Sequence, residues 1–268
     1  MAIEVFSRYE KKYLIDEKTY QFILSKIDEY MVADKYSKDG GFYNIANIYY
    51  DTPDDALIRA SIEKPIYKEK LRLRSYGVPG LEDKVFLEIK KKFKGMVYKR
   101  RTKLKLYEAY DLTMKGIHPE DSSYINKQVL AEIEYFLKMY DLSPKVYLTY
   151  DRRAYFGKDD SDFRVTFDTN IRSRREDVGL EKGNHGELLI GNGAWLMEVK
   201  SHMAVPLWFT AILTEAGVYP TSFSKYGTEY KKYLIEKNNL EGDNLLCLPR
   251  FLKQQQAEQC PQEQPLLA

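Results

Sequence analysis

Along much of the chain, apolar and polar residues alternate with the period of a strand. Residues 4–15 alternate, and Asp16 then stands where a helix N-cap belongs, ahead of apolar residues at helical spacing over 19–30. Tyr43–Asp51 reads as a tyrosine-rich strand stopped by Thr52-Pro53, with a short helix over 54–61. Residues 66–76 alternate strictly and end in the turn cluster Gly77, Pro79 and Gly80. Residues 84–92 alternate again, and Gly95 turns the chain into a strand over 96–106. The stretch 107–140 is helical in character and broken at His118-Pro119. Strands follow at 145–156, 163–169 and 194–201, the last opened by the hairpin signal Asn192-Gly193. Helices are predicted at 207–216 and 225–237. Many antiparallel strands with helices gathered between them predict an α+β fold in one domain, 1–238. Residues 239–268 lose periodicity and turn Gln-rich, as a disordered or weakly attached tail does.

Composition narrows the classes. The 268 residues are 44% apolar and 31% charged, yet the net charge is only +2, so the total does not announce a nucleic-acid binder. Any basic function must come from local clustering. Both cysteines, Cys247 and Cys260, fall in the last segment, which excludes a disulfide scaffold for the body and fits a reducing, cytoplasmic setting. The histidines His118, His185 and His202 are scattered, with no zinc spacing. The start of the chain does not read as a signal peptide. The longest apolar stretch, 204–213, contains Pro206 and falls far short of the roughly 20 residues a membrane helix needs.

The alternation also sorts the charges. Residues two apart on a strand share a face. One face carries Lys68, Lys70, Arg72 and Arg74, while Leu71 and Leu73 take the other. Glu88, Lys90 and Lys92 oppose Val85, Leu87 and Ile89, and Lys99, Arg101 and Lys103 share a face. Further strands add Arg8, Glu10 and Lys12, then Tyr150 with Arg152, then Arg164, then Glu198 with Lys200. For one strand, a solvated face is explanation enough. Solvent faces normally mix signs, however, and here cations dominate strand after strand. Like charges ~7 Å apart on a face repel by about 2 kcal/mol at an effective dielectric of about 20. Closing the sheet into a barrel of roughly eight strands would enclose these cations around a slim anionic ligand. Arginine forks suit phosphate oxygens, and the interspersed glutamates, Glu88 among them, suit a divalent metal. The apolar faces would then point outward beneath the helices.

The segments that carry this pattern resemble the VTC domain, the polyphosphate polymerase domain of the triphosphate tunnel metalloenzyme superfamily. The resemblance rests on Arg8-Tyr9-Glu10-Lys11-Lys12-Tyr13, Tyr49-Tyr50-Asp51-Thr52, Lys70-Leu71-Arg72-Leu73-Arg74-Ser75-Tyr76 and Leu87-Glu88-Ile89-Lys90. It continues through Tyr150-Asp151-Arg152-Arg153-Ala154-Tyr155, Phe163-Arg164-Val165-Thr166-Phe167-Asp168, Met197-Glu198-Val199-Lys200 and Phe223-Ser224-Lys225-Tyr226. It implies a closed tunnel barrel of eight antiparallel strands. It implies transfer of the γ-phosphate of ATP onto a growing inorganic polyphosphate chain, helped by Mn2+ or Mg2+. By position, Arg72, Arg74, Lys90, Arg152, Arg164 and Lys225 match phosphate-gripping residues, and Lys12 the basic residue of the first strand. Glu198 matches a metal-ligand glutamate, and Tyr150 and Ser224 supporting polar contacts. Lys200 and Glu10 complete the expected substrate shell.

The resemblance has two departures. Hydrolytic relatives show Glu-x-Glu-x-Lys in the first strand, whereas Arg8 stands at the first of these positions, which leans towards transfer. The regulatory and membrane-spanning regions of eukaryotic polymerases have no counterpart here. A triphosphate hydrolase using the same tunnel and a non-catalytic polyphosphate sensor stand as alternatives. The sequence holds no Walker-type phosphate loop, Gly191-Asn192-Gly193 reads as a turn, and Trp195 and Trp208 read as core.

Overall fold

The computed structural model describes residues 9–37, 41–63, 65–94, 96–202 and 204–240, with side chains to 237. Arg8, Gly95 and the tail from 241 onward lie outside the described residues. The chain runs β1 (Tyr9–Asp16), α1 (Glu17–Ile27), β2 (Met31–Ala33), β3 (Tyr43–Asp51), α2 (Ala56–Ile62), β4 (Tyr67–Tyr76), β5 (Lys84–Phe93) and β6 (Met96–Lys105). It continues with α3 (Leu106–Tyr110), a π-helical turn (Asp111–Lys115), α4 (Lys127–Met139), β7 (Ser143–Gly157), β8 (Arg164–Arg174), β9 (Glu187–Leu188), β10 (Ala194–Ser201), α5 (Leu207–Glu215) and α6 (Lys225–Leu240). Asp16 caps α1 as its sequence position predicts, accepting from Thr19 N at 2.8 Å. Gly116, at φ 69°, ends the π-helical turn, and His118-Pro119 falls in the gap before α4.

All strand pairs are antiparallel, and the sheet path is β1-β10-β8-β7-β3-β4-β5-β6, with the short β2 and β9 attached to β7 and β8. The α+β class stands, but the expected closed eight-stranded barrel does not. The sheet has ten strands, and no ladder joins β1 to β6 among the described residues. The two free edges supply a physical reason. One carries Lys11 and Lys12 beside Glu10 and Asp16, and the other Lys99, Arg100, Arg101, Lys103 and Lys105 with no acidic residue, so a ladder between them would crowd seven cations against two carboxylates. The sheet nonetheless curls far enough for its ends to sense each other. Lys12 and Glu10 on β1 act electrostatically on Lys90 of β5, six strands away along the path.

Parity decides what lies outside the curl. Leu71, Leu73, Val85, Leu87, Ile89 and Leu104 of β4–β6 are fully or almost fully buried beneath α3 and α4, where Val129, Leu130, Ile133 and Phe136 form one helical stripe. Tyr13, Ile15, Val165, Phe167, Met197 and Val199 are likewise covered by Tyr20, Ile23 and Ile27 of α1 and Phe209, Ile212 and Leu213 of α5. Trp195 stacks on Tyr20 with centroids 3.7 Å apart, so it belongs to this core. A third cluster joins Ile45, Leu148, Tyr150 and Leu196 to Ile58 of α2 and to Tyr226 and Tyr230 of α6. It covers one end of the inner face.

Asp51 ties that end together. Fully buried at the end of β3, it accepts from Thr52 N (2.9 Å), Leu57 N (2.8 Å), Ile58 N (2.9 Å) and the Tyr226 hydroxyl (2.9 Å). One carboxylate thus caps α2 and anchors α6. Replacing Asp51 with alanine strands these donors in the interior, at a cost on the order of 3 kcal/mol. A melting temperature roughly 6 to 12 °C lower in calorimetry is the expected outcome.

Candidate phosphate-binding bore

The inner face is built from rungs that pair a cation with a fixed acceptor. On β4 and β5, Arg72 Nε donates to Glu88 Oε2 at 2.6 Å and Nη1 to the Tyr49 hydroxyl at 3.4 Å, while Lys99 of β6 lies 2.8 Å from Glu88 Oε1. Each oxygen of Glu88 therefore faces a cation, Oε2 in a hydrogen bond and Oε1 in an ion pair. One step along β4, Arg74 donates through Nε to Asn47 Oδ1 at 2.9 Å and through Nη2 to the Tyr150 hydroxyl at 3.3 Å. Across the curl, Arg152 grips Asp168 with two bonds of 2.6 and 2.7 Å, and Lys225 donates to the same carboxylate at 2.5 Å. Lys225 is the first residue of α6. Ser224 caps that helix, its Oγ accepting from Gly227 N at 3.2 Å, so the Asp51 anchor and this cap together bring the ammonium into the bore.

Glu198 is the most densely countered group. Lys200 (3.4 Å), Lys225 (3.4 Å), Lys12 (3.6 Å) and Arg152 (3.8 Å) surround it. Lys12 and Lys200 also reach Glu10, at 3.4 and 3.8 Å. Lys90 is solvent-exposed yet acts on Glu10, Lys12, Lys200 and Arg72, as a side chain in a wet channel would. Arg164 pairs with Asp34 at 3.4 Å; its Nε and the neighbouring Thr166 Oγ1 are buried and without a protein partner.

The residues that the sequence assigned to the site thus lie on the curled inner face, at the start of α6 (Lys225) or, for Ser224, immediately before it. Sequence reasoning put Lys70 and Lys99 on the cationic faces without assigning them to the site, and gave Asp168, Asn47, Tyr49 and Asp34 no role. Parity with Arg72 and Arg101 marks Lys70 and Lys99. Asp168 sits within a quoted motif, but nothing in that motif says that its partner is Arg152.

The local field follows from this crowding. Burial opposes ionisation of Glu88, yet Arg72, Arg74 and Lys99 outweigh it and hold its carboxyl below the usual carboxylate range. The same contest, won by surrounding cations, lowers Glu10, Asp168 and Glu198. Burial and the neighbouring cations Lys90, Lys68 and Lys12 push Lys70 down to about 8, against the opposing pull of Tyr49. Burial first, then Arg72 and Arg74, bring Lys99 down to about 7 despite Glu88. Counting Lys12, Lys70, Arg72, Arg74, Lys90, Lys99, Arg152, Arg164, Lys200 and Lys225 against Glu10, Asp34, Glu88, Asp168 and Glu198, the bore holds twice as many cations as carboxylates. Such an excess of positive charge suits a multiply charged anion.

This antiparallel sheet, curled around a cation-lined interior, defines a triphosphate tunnel protein. The chain belongs to the VTC domain family, whose model matches residues 7–234. A candidate adenylate cyclase from Bacillus halodurans shares the fold at a TM-score of 0.50 and 15% identity, over 83% of this chain and 96% of that one. A candidate adenylyl cyclase from Hippeastrum, described as having a dominant triphosphatase activity, gives 0.47 and 16% over 81% and 92%. One from Vibrio parahaemolyticus gives 0.46 and 12% over 84% and 99%. No curated protein matches the chain. No helix among the described residues is long and apolar enough to cross a membrane.

The superfamily is one of divalent-metal enzymes, and the donor set can be tested for fit. Among the described residues no three acidic, histidine or cysteine side chains converge as a metal cage. Glu10 and Glu198 do lie together, bridged by Lys12 and Lys200. Two carboxylates completed by substrate oxygens suit magnesium or manganese, which commonly bind through one or two carboxylates plus phosphate.

A lysine with a lowered pKa gives the bore a pH signature. Below pH 8 Lys70 is already charged, and an incoming anion meets its full attraction. Above pH 8 binding must take up a proton, so affinity for inorganic tripolyphosphate falls by up to about tenfold per pH unit. Titration calorimetry at pH 7 and 9 checks this, and Lys70→Arg removes the part of the dependence that Lys70 carries, leaving that of Lys99.

Proposed function

We propose that this chain is a metal-dependent polyphosphate polymerase, moving the γ-phosphate of ATP onto the end of a growing inorganic polyphosphate. Family membership supports a phosphate-handling tunnel enzyme. The observation that favours transfer over hydrolysis is the charge state of the bore. Glu10, Glu88, Asp168 and Glu198 are all held below the usual carboxylate range by cations. A general base for water works best with a pKa near the working pH, which none of these four has, and Lys99, brought down to about 7, is committed to Glu88. A terminal phosphate oxygen is already anionic and needs no such base.

In this reading Arg72, Arg74, Arg152 and Arg164 align consecutive phosphates, and Lys90 adds a point charge. Lys12, Lys200 and Lys225 neutralise the attacking and leaving ends. Tyr150 and Ser224 keep Arg74 and Lys225 in position. Glu10 and Glu198 would hold the divalent ion, which neutralises charge on phosphate oxygens when bound. Glu88, paired with Arg72 and Lys99, acts as their strut.

ATP and manganese incubated with the protein should yield a phosphate ladder on a gel. Free phosphate without a ladder overturns the reading in favour of hydrolysis, and tight binding without product in favour of a sensor. Arg72→Ala should lower turnover on the order of a thousandfold in protein that still folds, with a lowered melting temperature because buried Glu88 loses its hydrogen-bonded partner.

A further inference from the structure

An aromatic cluster sits where the inner face runs out at the β3–β4 end remote from α6. Tyr76 follows Arg74 by two residues on β4 and so shares its face. Its ring lies 6.1 Å from Tyr43 of β3, 6.1 Å from Tyr36 and 5.9 Å from Phe86 of β5. Tyr36 and Tyr43 are 5.8 Å apart, and the rings of Tyr36 and Tyr76 are within 17° of parallel. These two are also the open ones, 59% and 48% exposed. The fold has not buried them as core.

The cluster is continuous with the phosphate bore. Tyr43 is the register partner of Arg152, and its hydroxyl senses both Arg152 and Arg164. Tyr36 is held by its amide, which donates to Asp34 Oδ1 at 3.1 Å, and Asp34 is the carboxylate paired with Arg164. Lys35 lies over the Tyr36 ring and Arg101 over Phe86, at 4.9 and 4.6 Å. Open tyrosine rings therefore stand one side-chain step, ~7 Å, from phosphate-gripping arginines.

A polyphosphate chain has no flat face for such rings to use. A nucleotide has both chemistries, phosphates for the arginines and a π-face for the tyrosines. We propose that Tyr36 and Tyr76 form a stacking platform for the nucleobase of a nucleoside triphosphate whose phosphates enter the bore past Arg74 and Arg152. This rests on the phosphate-binding reading of the bore and adds to it. The bore grips phosphates whatever their source, and the platform separates a nucleotide from an inorganic chain.

Titration calorimetry with ATP and with inorganic tripolyphosphate, manganese present in both, separates the two readings. It compares wild type, Tyr36→Ala, Tyr76→Ala and Tyr76→Phe, with melting temperatures confirming that the variants are folded. Each alanine variant should lose about fivefold or more in ATP affinity while tripolyphosphate affinity stays within about twofold. Tyr76→Phe, which keeps the ring, should bind ATP like wild type. Unchanged ATP affinity in both alanine variants overturns the platform, as does an equal loss for the two ligands. Failure of the wild-type protein to bind tripolyphosphate instead overturns the bore reading beneath it.

Discussion

Like charges have to be brought together here, and the fold is organised around making that tolerable. Ten cations meet on the inner face of one curled sheet, including Lys12 from its first strand along the path and Lys99 from its last. At ~7 Å and an effective dielectric of about 20, each such pair costs about 2 kcal/mol. The protein offsets part of this with interleaved carboxylates. Glu88 serves Arg72 and Lys99, Asp168 serves Arg152 and Lys225, and Glu198 serves four cations. It does not offset all of it. The residual positive potential is what an anionic ligand meets.

Holding that arrangement is the task of the outer faces. Two apolar clusters, one under α3 and α4 and the other under α1 and α5, load the outside of the sheet, so burying them draws the inside into a bore. A third cluster brings α6 against one end, and the bond from Tyr226 to Asp51 fixes it there. Lys225 enters the bore because its neighbour is anchored in the core. The functional cations sit on strands and at a helix start, positions that a packed core defines more closely than a free loop would.

Much of this was legible as parity. The alternation of Lys70, Arg72 and Arg74 with Leu71 and Leu73 identifies both the face and its chemistry, and Asp16 identifies a helix start. Closure was not legible, because it depends on whether two edges pair, and the uncompensated cations of β6 facing Lys11 and Lys12 oppose it. The strands β2 and β9, of three and two residues, are too short to display a period. Pairing is equally silent in sequence. Nothing in Phe163–Asp168 says that Asp168 will meet Arg152, which stands opposite it only because β7 and β8 take that register. Tyr36 reads as an isolated aromatic in a connecting segment until the chain folds back on Arg164 through Asp34.

The acceptors do more than balance charge. Arg152 spends Nε and Nη2 on Asp168, Arg72 spends Nε on Glu88 and Nη1 on Tyr49, and Arg74 spends Nε on Asn47 and Nη2 on Tyr150. Each guanidinium is pinned along part of its rim and keeps further N–H donors, since the group carries five. A free arginine gives up about 2 kcal/mol of rotamer freedom when it is fixed on a ligand. These three have given it up on folding, so less is lost when phosphate arrives. The cost is therefore carried by the stability of the fold, and the β3–β4–β5 and β7–β8–β10 pairings that orient the forks bear as much on anion affinity as the charges themselves.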